Sequence, residues 1–293
     1  MKIFLAVDGS PSSDNAALCL DRLTRGARHD VTVAYAAPHV PDRWERAHGP
    51  VSRMLLRAGQ RMLAAVASGL RRASRRVRVR LIESSHVADA LLGDCEKNGA
   101  ELVVLGARGL GPLKSFILGS VSQAVSRHAR SSVLIARKPP PPLRPRVIVA
   151  VDGSPAGERS VRFLAGLGLP RGSAVTLVHV VQAPYDIWAA EFGFPAVASP
   201  KSPSSLELLH EQRGRGRRLL DEYRARLVPL FKSVETVLLE GHPAGEILRW
   251  AQTRSADLVV LGRHGDSGVS RFLMGSVSHK VSAYADCSVL VVG

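Results

Sequence analysis

The chain is written twice. IFLAVDGSPSSDNA (3–16) is matched by VIVAVDGSPAGERS (147–160), and VTVAYAAP (31–38) by VTLVHVVQ (175–182). AELVVLGARG (100–109) is matched by ADLVVLGRHG (256–265), and SSVLIAR (131–137) by CSVLVVG (287–293). A repeat of this length predicts two copies of one folding unit rather than one enlarged core. The boundaries read as a first domain over 1–137, a linker over 138–145 and a second domain over 146–293. The prolines of RKPPPPLRP (137–145) can neither continue a helix nor donate to a ladder, so they make that linker short and stiff. Asp8 and Asp152 are 144 positions apart, whereas Gly106 and Gly262 are 156 apart, so the second copy gains 12 residues. They fall after the second strand, and are placed in APYDIWAAEFGFPAVASPKSPSS (183–205). Trp188, Phe192 and Phe194 in that loop call for burial, in a lid or in a contact between chains.

Within each copy the hydrophobic period alternates. Short β-branched runs at 2–7, 31–36, 77–82, 101–105 and 132–136 read as strands buried on both faces. The stretches 11–24, 51–72, 86–97 and 120–129 carry apolar residues at helical spacing. Strand alternating with helix predicts parallel pairing through right-handed crossovers. The fold class is therefore α/β: two doubly wound domains, each a five-stranded parallel sheet with helices on both faces. In such sheets ligands bind beyond the carboxyl ends of the strands, at the switch point.

Two features fall at that edge in each copy. LGARGLGPLKSFILGSVSQAV (105–125) and LGRHGDSGVSRFLMGSVSHKV (261–281) share Leu-Gly, two residues, Gly, a nine-residue gap and Gly-Ser-Val-Ser. Gly106 and Gly109, with Gly262 and Gly265, permit positive φ and let backbone N–H groups approach a ligand without a β-carbon in the way. Gly119-Ser120-Val121-Ser122 and Gly275-Ser276-Val277-Ser278 each open an amphipathic segment. A helix N-terminus offers unpaired N–H groups and partial positive charge, which favour phosphate, and the serines add hydroxyl donors. Across the switch point stand Asp8 and Asp152, carboxylates suited to ribose hydroxyls or an adenine amino group. Glycine loop and acidic residue together outline a nucleotide. Lys114 and Arg271, in the nine-residue gaps, are placed either to reach terminal phosphates or simply in solvent.

Other chemistry is weakly represented. The net charge of +15 comes mostly from arginines strewn over helical stretches such as GLRRASRRVRVR (69–80). No aromatic-interleaved stripe or nucleic-acid motif accompanies it, so nucleic acid is not expected as a partner. Cys19, Cys95 and Cys287 lack any metal or redox spacing and read as small core hydrophobes in a reducing compartment. No apolar run is long enough to span a bilayer, and the first apolar stretch breaks at Asp8-Gly9, unlike a signal peptide. A cytoplasmic protein without membrane contact is expected. His39, His48 and His242 form no metal spacing. His264 invites a catalytic role, but its counterpart is Arg108, which cannot act as a base.

On these residues the chain resembles tandem universal stress proteins of the ATP-binding type. Both copies match that family's G-x2-G-x9-G-[S/T] signature, through Gly106, Gly109, Gly119 and Ser120, then Gly262, Gly265, Gly275 and Ser276. The resemblance implies ATP as ligand, with Mg²⁺ held by its phosphates. It implies nucleoside contact by Asp8 and Asp152, and backbone contact to adenine by Ala36 and Val180. Arg108 and His264 would lie along ribose and phosphates, and Gly119 to Ser122 and Gly275 to Ser278 would hold the phosphates. The family's pairing through the last strand implies an internal pseudo-dimer, with further pairing into a homodimer. The expected role is a nucleotide-dependent stress or signalling module with an unidentified signalling partner, a binding module more than an enzyme. A slow ATPase or nucleotidyl-transfer enzyme, a cyclic-AMP sensor and a ligand-free scaffold stand as alternatives. The first copy departs from the family at Tyr35, where the second has His179, and at ESSHVADA (83–90), where the second has EGHPAGEI (240–247). The second site is thus expected to be the more family-like.

Overall fold

The computed structural model describes residues 1–48, 50–70, 74–109, 118–137, 144–182, 203–265 and 274–293. The first copy runs β1 (Lys2–Ala6), α1 (Pro11–Leu23), β2 (Asp30–Ala37), α2 (Asp42–His48), α3 (Val51–Leu70), β3 (Arg76–Glu83), α4 (Val87–Lys97), β4 (Leu102–Gly106), α5 (Ser120–His128) and β5 (Ser132–Ala136). The second runs β6 (Arg146–Ala150), α6 (Pro155–Leu167), β7 (Ala174–Val181), α7 (Pro203–Leu227), β8 (Ser233–Glu240), α8 (Pro243–Thr253), β9 (Leu258–Gly262), α9 (Ser276–Tyr284) and β10 (Ser288–Val292). Most of the linker, 138–143, and most of the inserted loop, 183–202 with Trp188, Phe192 and Phe194, lie outside the described residues.

Local sequence explains the elements. The runs LVVLG and SVLIA of β4 and β5 are buried at all five positions, as central parallel strands require. Helices α1 and α6 begin alike: Ser10 Oγ accepts the Ser13 N–H at 3.2 Å, Ser154 Oγ accepts the Gly157 N–H at 3.1 Å, and proline follows each cap. Helix α6 stops at Gly168, whose φ of +78° suits glycine.

The ten strands form one sheet in the order β3-β2-β1-β4-β5-β10-β9-β6-β7-β8. Every pairing is parallel except the central one, where β5 and β10 run antiparallel with Leu134 opposite Leu290. Each copy is thus a five-stranded, doubly wound parallel unit. The last strands, which would be bare apolar edges in isolation, cover each other. Leu134 and Leu290 are essentially fully buried, each burial stabilising the seam by roughly 1.5–3 kcal/mol.

The two faces of the sheet differ. On one, α1, α3, α6 and α7 share a single apolar core that crosses from one copy to the other, with Cys19 and Leu23 in the same cluster as Leu164 and Leu167. On the other, α4 and α5 cover one core and α8 and α9 cover a separate one. All three cysteines are buried and unpaired, as expected of core hydrophobes, and burial pushes Cys19 up to about 12 and Cys287 up to about 11.

Strand register refines the insertion. Asp30 and Ala174 begin equivalent strands 144 positions apart, Arg76 and Ser233 157 apart, and Leu102 and Leu258 156 apart. The second copy therefore gains 13 residues between its second and third strands and loses one in the following turn. In the second copy Gly241, at φ +136°, makes that turn tightly ahead of Pro243. The first copy uses one residue more, and Ser84 Oγ accepts the His86 N–H at 3.0 Å instead.

Candidate functional site

The carboxyl ends of β6, β7 and β9 open onto a cleft of about 140 Å³. Asp152, Val180, Gly262, His264, Gly265, Gly275, Ser276, Val277 and Ser278 all line it. These nine of the site residues named from sequence in the second copy are therefore at one place. Ala150, Val151, Val178, Pro243, Ile247 and Leu261 complete the wall. These six were missed, although Pro243 and Ile247 lie in the stretch EGHPAGEI.

The aspartates are held by their own turns. The Ser154 N–H and Oγ–H both donate to Asp152 Oδ1, at 3.0 and 2.6 Å, and the Ser10 N–H donates to Asp8 Oδ1 at 3.0 Å. Gly9 and Gly153, at φ +80° and +84°, supply the left-handed residue these turns need. Each Oδ2 is left facing the glycine loop. A β-carbon on Gly109 would lie 2.5 Å from Asp8 Oδ2, and one on Gly265 would lie 2.7 Å from Asp152 Oδ2.

None of the signature glycines has positive φ, and it is close approach that requires Gly106, Gly109, Gly262 and Gly265. Gly106 abuts Ser12 and Gly262 abuts Ala156, where a β-carbon would meet backbone atoms at 2.6 and 2.8 Å. The last glycine of each signature anchors the helix start: Gly119 N–H donates to Ala107 O and Gly275 N–H to Arg263 O, both at 2.9 Å. As N-caps, Gly119 and Gly275 bring no side-chain acceptor, so the first-turn amides of α5 and α9 stay available to a ligand.

The serines divide their work. Ser122 Oγ–H donates to Gly106 O at 2.7 Å; Ser278 Oγ–H is shared between Arg263 O at 2.7 Å and Gly275 O at 2.9 Å. Both serines are buried, and their hydroxyls brace the glycine loop rather than serving as the ligand donors expected from sequence. Ser120 and Ser276 are exposed at the helix starts, with Val121 and Val277 half-buried beside them. In the first copy the Arg108 N–H donates to Ser12 Oγ at 3.1 Å, fixing the loop against α1. Lys114 and Arg271 lie outside the described residues.

Ala36 is buried in the core under α4 and α5, as Val180 packs under α8 and α9. Their neighbours Tyr35 and His179 point to the other face. Gly59 of α3 makes room for Tyr35 and Gly216 of α7 for His179, since a β-carbon on either glycine would lie 2.6 Å from the ring. His179 Nδ1 pairs with Val151 O at 2.8 Å. The exchange of His for Tyr thus lies on the face of the sheet covered by α3 and α7. Among the described residues no group of three or more His, Cys, Asp or Glu could hold a metal ion. No helix of the described residues is long and apolar enough to cross a membrane.

The fold and site define a duplicated α/β protein with a glycine loop at the switch point of each copy and a cleft at that of the second. The sequence model of the universal stress protein family matches residues 1–137 and again 144–293, and the chain belongs to that family. It is 28% identical over 156 residues to the universal stress protein YxiE of Bacillus subtilis, covering 50% of this chain and 97% of that one. A universal stress protein of Mycobacterium bovis is 31% identical over 198 residues, covering 66% of this chain and 62% of its own length. Among solved structures, a universal stress protein from Archaeoglobus fulgidus aligns over 99% of this chain and 97% of its own, with TM-score 0.63 and 18% identity. One from Pseudomonas aeruginosa covers 99% and 92% with the same TM-score and 17% identity. At such identities the structures speak for the fold alone.

Proposed function

We propose that the chain is an ATP-binding module with one site per copy, whose nucleotide occupancy sets a signalling state in a reducing, cytoplasmic setting. One observation carries the reading. In a single cleft an uncapped helix start at Gly275 to Ser278 faces a carboxylate, Asp152, oriented by its own turn, with Val178, Val180, Ile247 and Leu261 as an apolar wall between them. The helix amides suit phosphates and the carboxylate suits ribose hydroxyls. The apolar wall suits a flat base, with the backbone of Val180 available to its edge. Mg²⁺ would be carried by the phosphates. His264 along the cleft and Arg108 in the first copy fit phosphate or ribose contact, and no residue is assigned a catalytic role. A partner protein would read the order of the two glycine loops.

Calorimetric titration of the full chain with ATP and Mg²⁺ tests this. Saturable binding that weakens in Asp152→Ala is expected; no saturation at millimolar nucleotide would remove the reading. Turnover that survives purification and disappears in Gly275→Ala would instead make the protein a slow ATPase.

A further inference from the structure

The second glycine loop does not end at its own cleft. Arg263, between Gly262 and His264, is 6% exposed, and its guanidinium crosses into the first copy. Nη1 donates to Ser126 O at 3.1 Å and Nη2 to Ser131 O at 2.8 Å. The Ser126 carbonyl is among the last four of α5, which have no acceptor role inside the helix, and a cation there is favoured by the helix dipole. The opposite end of α5 is the helix start proposed to hold the first site's phosphates.

The main chain of the same residue belongs to the second site. Gly275 N–H and Ser278 Oγ–H both donate to Arg263 O, at 2.9 and 2.7 Å. One residue therefore braces the start of α9 with its backbone and holds the end of α5 with its side chain. Among the described residues no carboxylate pairs with it, so the two carbonyls are the polar anchors of a buried cation.

A reciprocal contact runs the other way. Arg137, directly after β5, donates through Nη2 to Ser282 O at 2.5 Å and Ala283 O at 3.1 Å, at the end of α9. The Ala107 N–H donates to Ala136 O at 2.9 Å, tying that strand end to the first glycine loop. The two arginines are not equivalent in the repeat: Arg263 corresponds to Ala107, and Arg137 to Gly293. Each helix that starts at a cleft thus ends on an arginine from the other copy, by two different routes.

We propose that Arg263 is a positioning residue that couples the two clefts: phosphates ordering the second glycine loop tighten α5 through its guanidinium, and so alter the first site. This rests on the nucleotide reading above. The coupling must act equally in both directions on binding.

The test uses the full chain carrying Asp8→Ala, in which only the second cleft keeps its carboxylate. Calorimetry first establishes whether ATP with Mg²⁺ saturates it, and amide hydrogen exchange is then followed along α5 with and without nucleotide. Slowing of the α5 amides by roughly fivefold or more is expected, a modest coupling. Adding Arg263→Ala should abolish that slowing while ATP still binds; alanine is what the repeat carries at position 107. Should that chain fail to fold, Arg263→Lys keeps a cation that cannot span both carbonyls, and a reduced response is expected. Saturable binding with no α5 response, or with an equal response in the Arg263 variants, overturns the coupling alone. Absence of saturation in both the unaltered and the Asp8→Ala chain overturns the nucleotide reading, and the coupling with it.

Discussion

Asp152 faces Gly265 so closely that a β-carbon on the glycine would lie 2.7 Å from the carboxylate's Oδ2. Asp8 and Gly109 repeat the relationship in the first copy. The spacing of the signature follows from it, because one glycine of each loop seats against the neighbouring helix and the next seats against the carboxylate.

These two glycines should fail differently. In Gly265→Ala the new methyl displaces the Asp152 carboxylate, whose exposed side can yield, so ATP affinity should fall by about tenfold or more, the loss of one charged hydrogen bond. Stability should change little. In Gly262→Ala the methyl meets Ala156 C at 2.8 Å, and the first turn of α6 has to shift. That overpacking should cost about 1–3 kcal/mol in denaturant unfolding. Equal stability losses in the two variants would contradict the assignment.

The serines should also separate. Ser278→Ala removes a buried hydroxyl that donates to Arg263 O and Gly275 O, and should cost about 1 kcal/mol. Ser276→Ala, at an exposed position, should leave the unfolding midpoint unchanged. A stability loss in Ser276→Ala matching that of Ser278→Ala would undo this division of labour.

This division marks how far the sequence could be read. The repeat, the strand and helix periods and the glycine spacing placed both glycine loops at the carboxyl edge of the sheet, because each rests on local rules of backbone and periodicity. The direction of a serine hydroxyl does not follow from such rules. Ser276 and Ser278 read alike in a helix start, and only packing against the loop distinguishes them. Tyr35 did lie within reach of such rules: its neighbour Ala36 aligns with a cleft-lining valine, and strand alternation sends the Tyr35 ring to the other face. Arg263 left no signal at all, since its partners are backbone carbonyls of the other copy.

The buried thiols should be silent. Burial raises the pKa of Cys19 to about 12 and of Cys287 to about 11, and raises that of Cys95 as well. At pH 8 the folded chain should resist a thiol reagent over minutes, and all 3 cysteines should react once it is unfolded. Rapid labelling of the native chain would show that the cores open readily.

His29 should make the contact between the copies sensitive to acid. It is 4% exposed, with Nε2 paired to Leu167 O at 2.9 Å, and burial lowers its pKa from the ordinary 6.5. The unfolded chain then takes up the proton first as pH falls. Stability is unaffected by this group well above 6.5, falls as pH drops through 6.5, and levels off below the lowered folded value. In His29→Gln the decline in the unfolding midpoint between pH 7 and pH 5.5 should be shallower. An unchanged slope would remove His29 from the account.

The central claim is that each copy holds a nucleotide between its aspartate and its helix start. A crystal structure of the full chain grown with ATP and Mg²⁺ tests it most directly. Phosphates are expected within hydrogen-bond distance of the Ser276 to Ser278 amides, ribose at Asp152 and the base against Val178 and Val180, with the matching arrangement at Asp8 and the start of α5. Nucleotide bound elsewhere, or both clefts empty at saturating ATP, would contradict it.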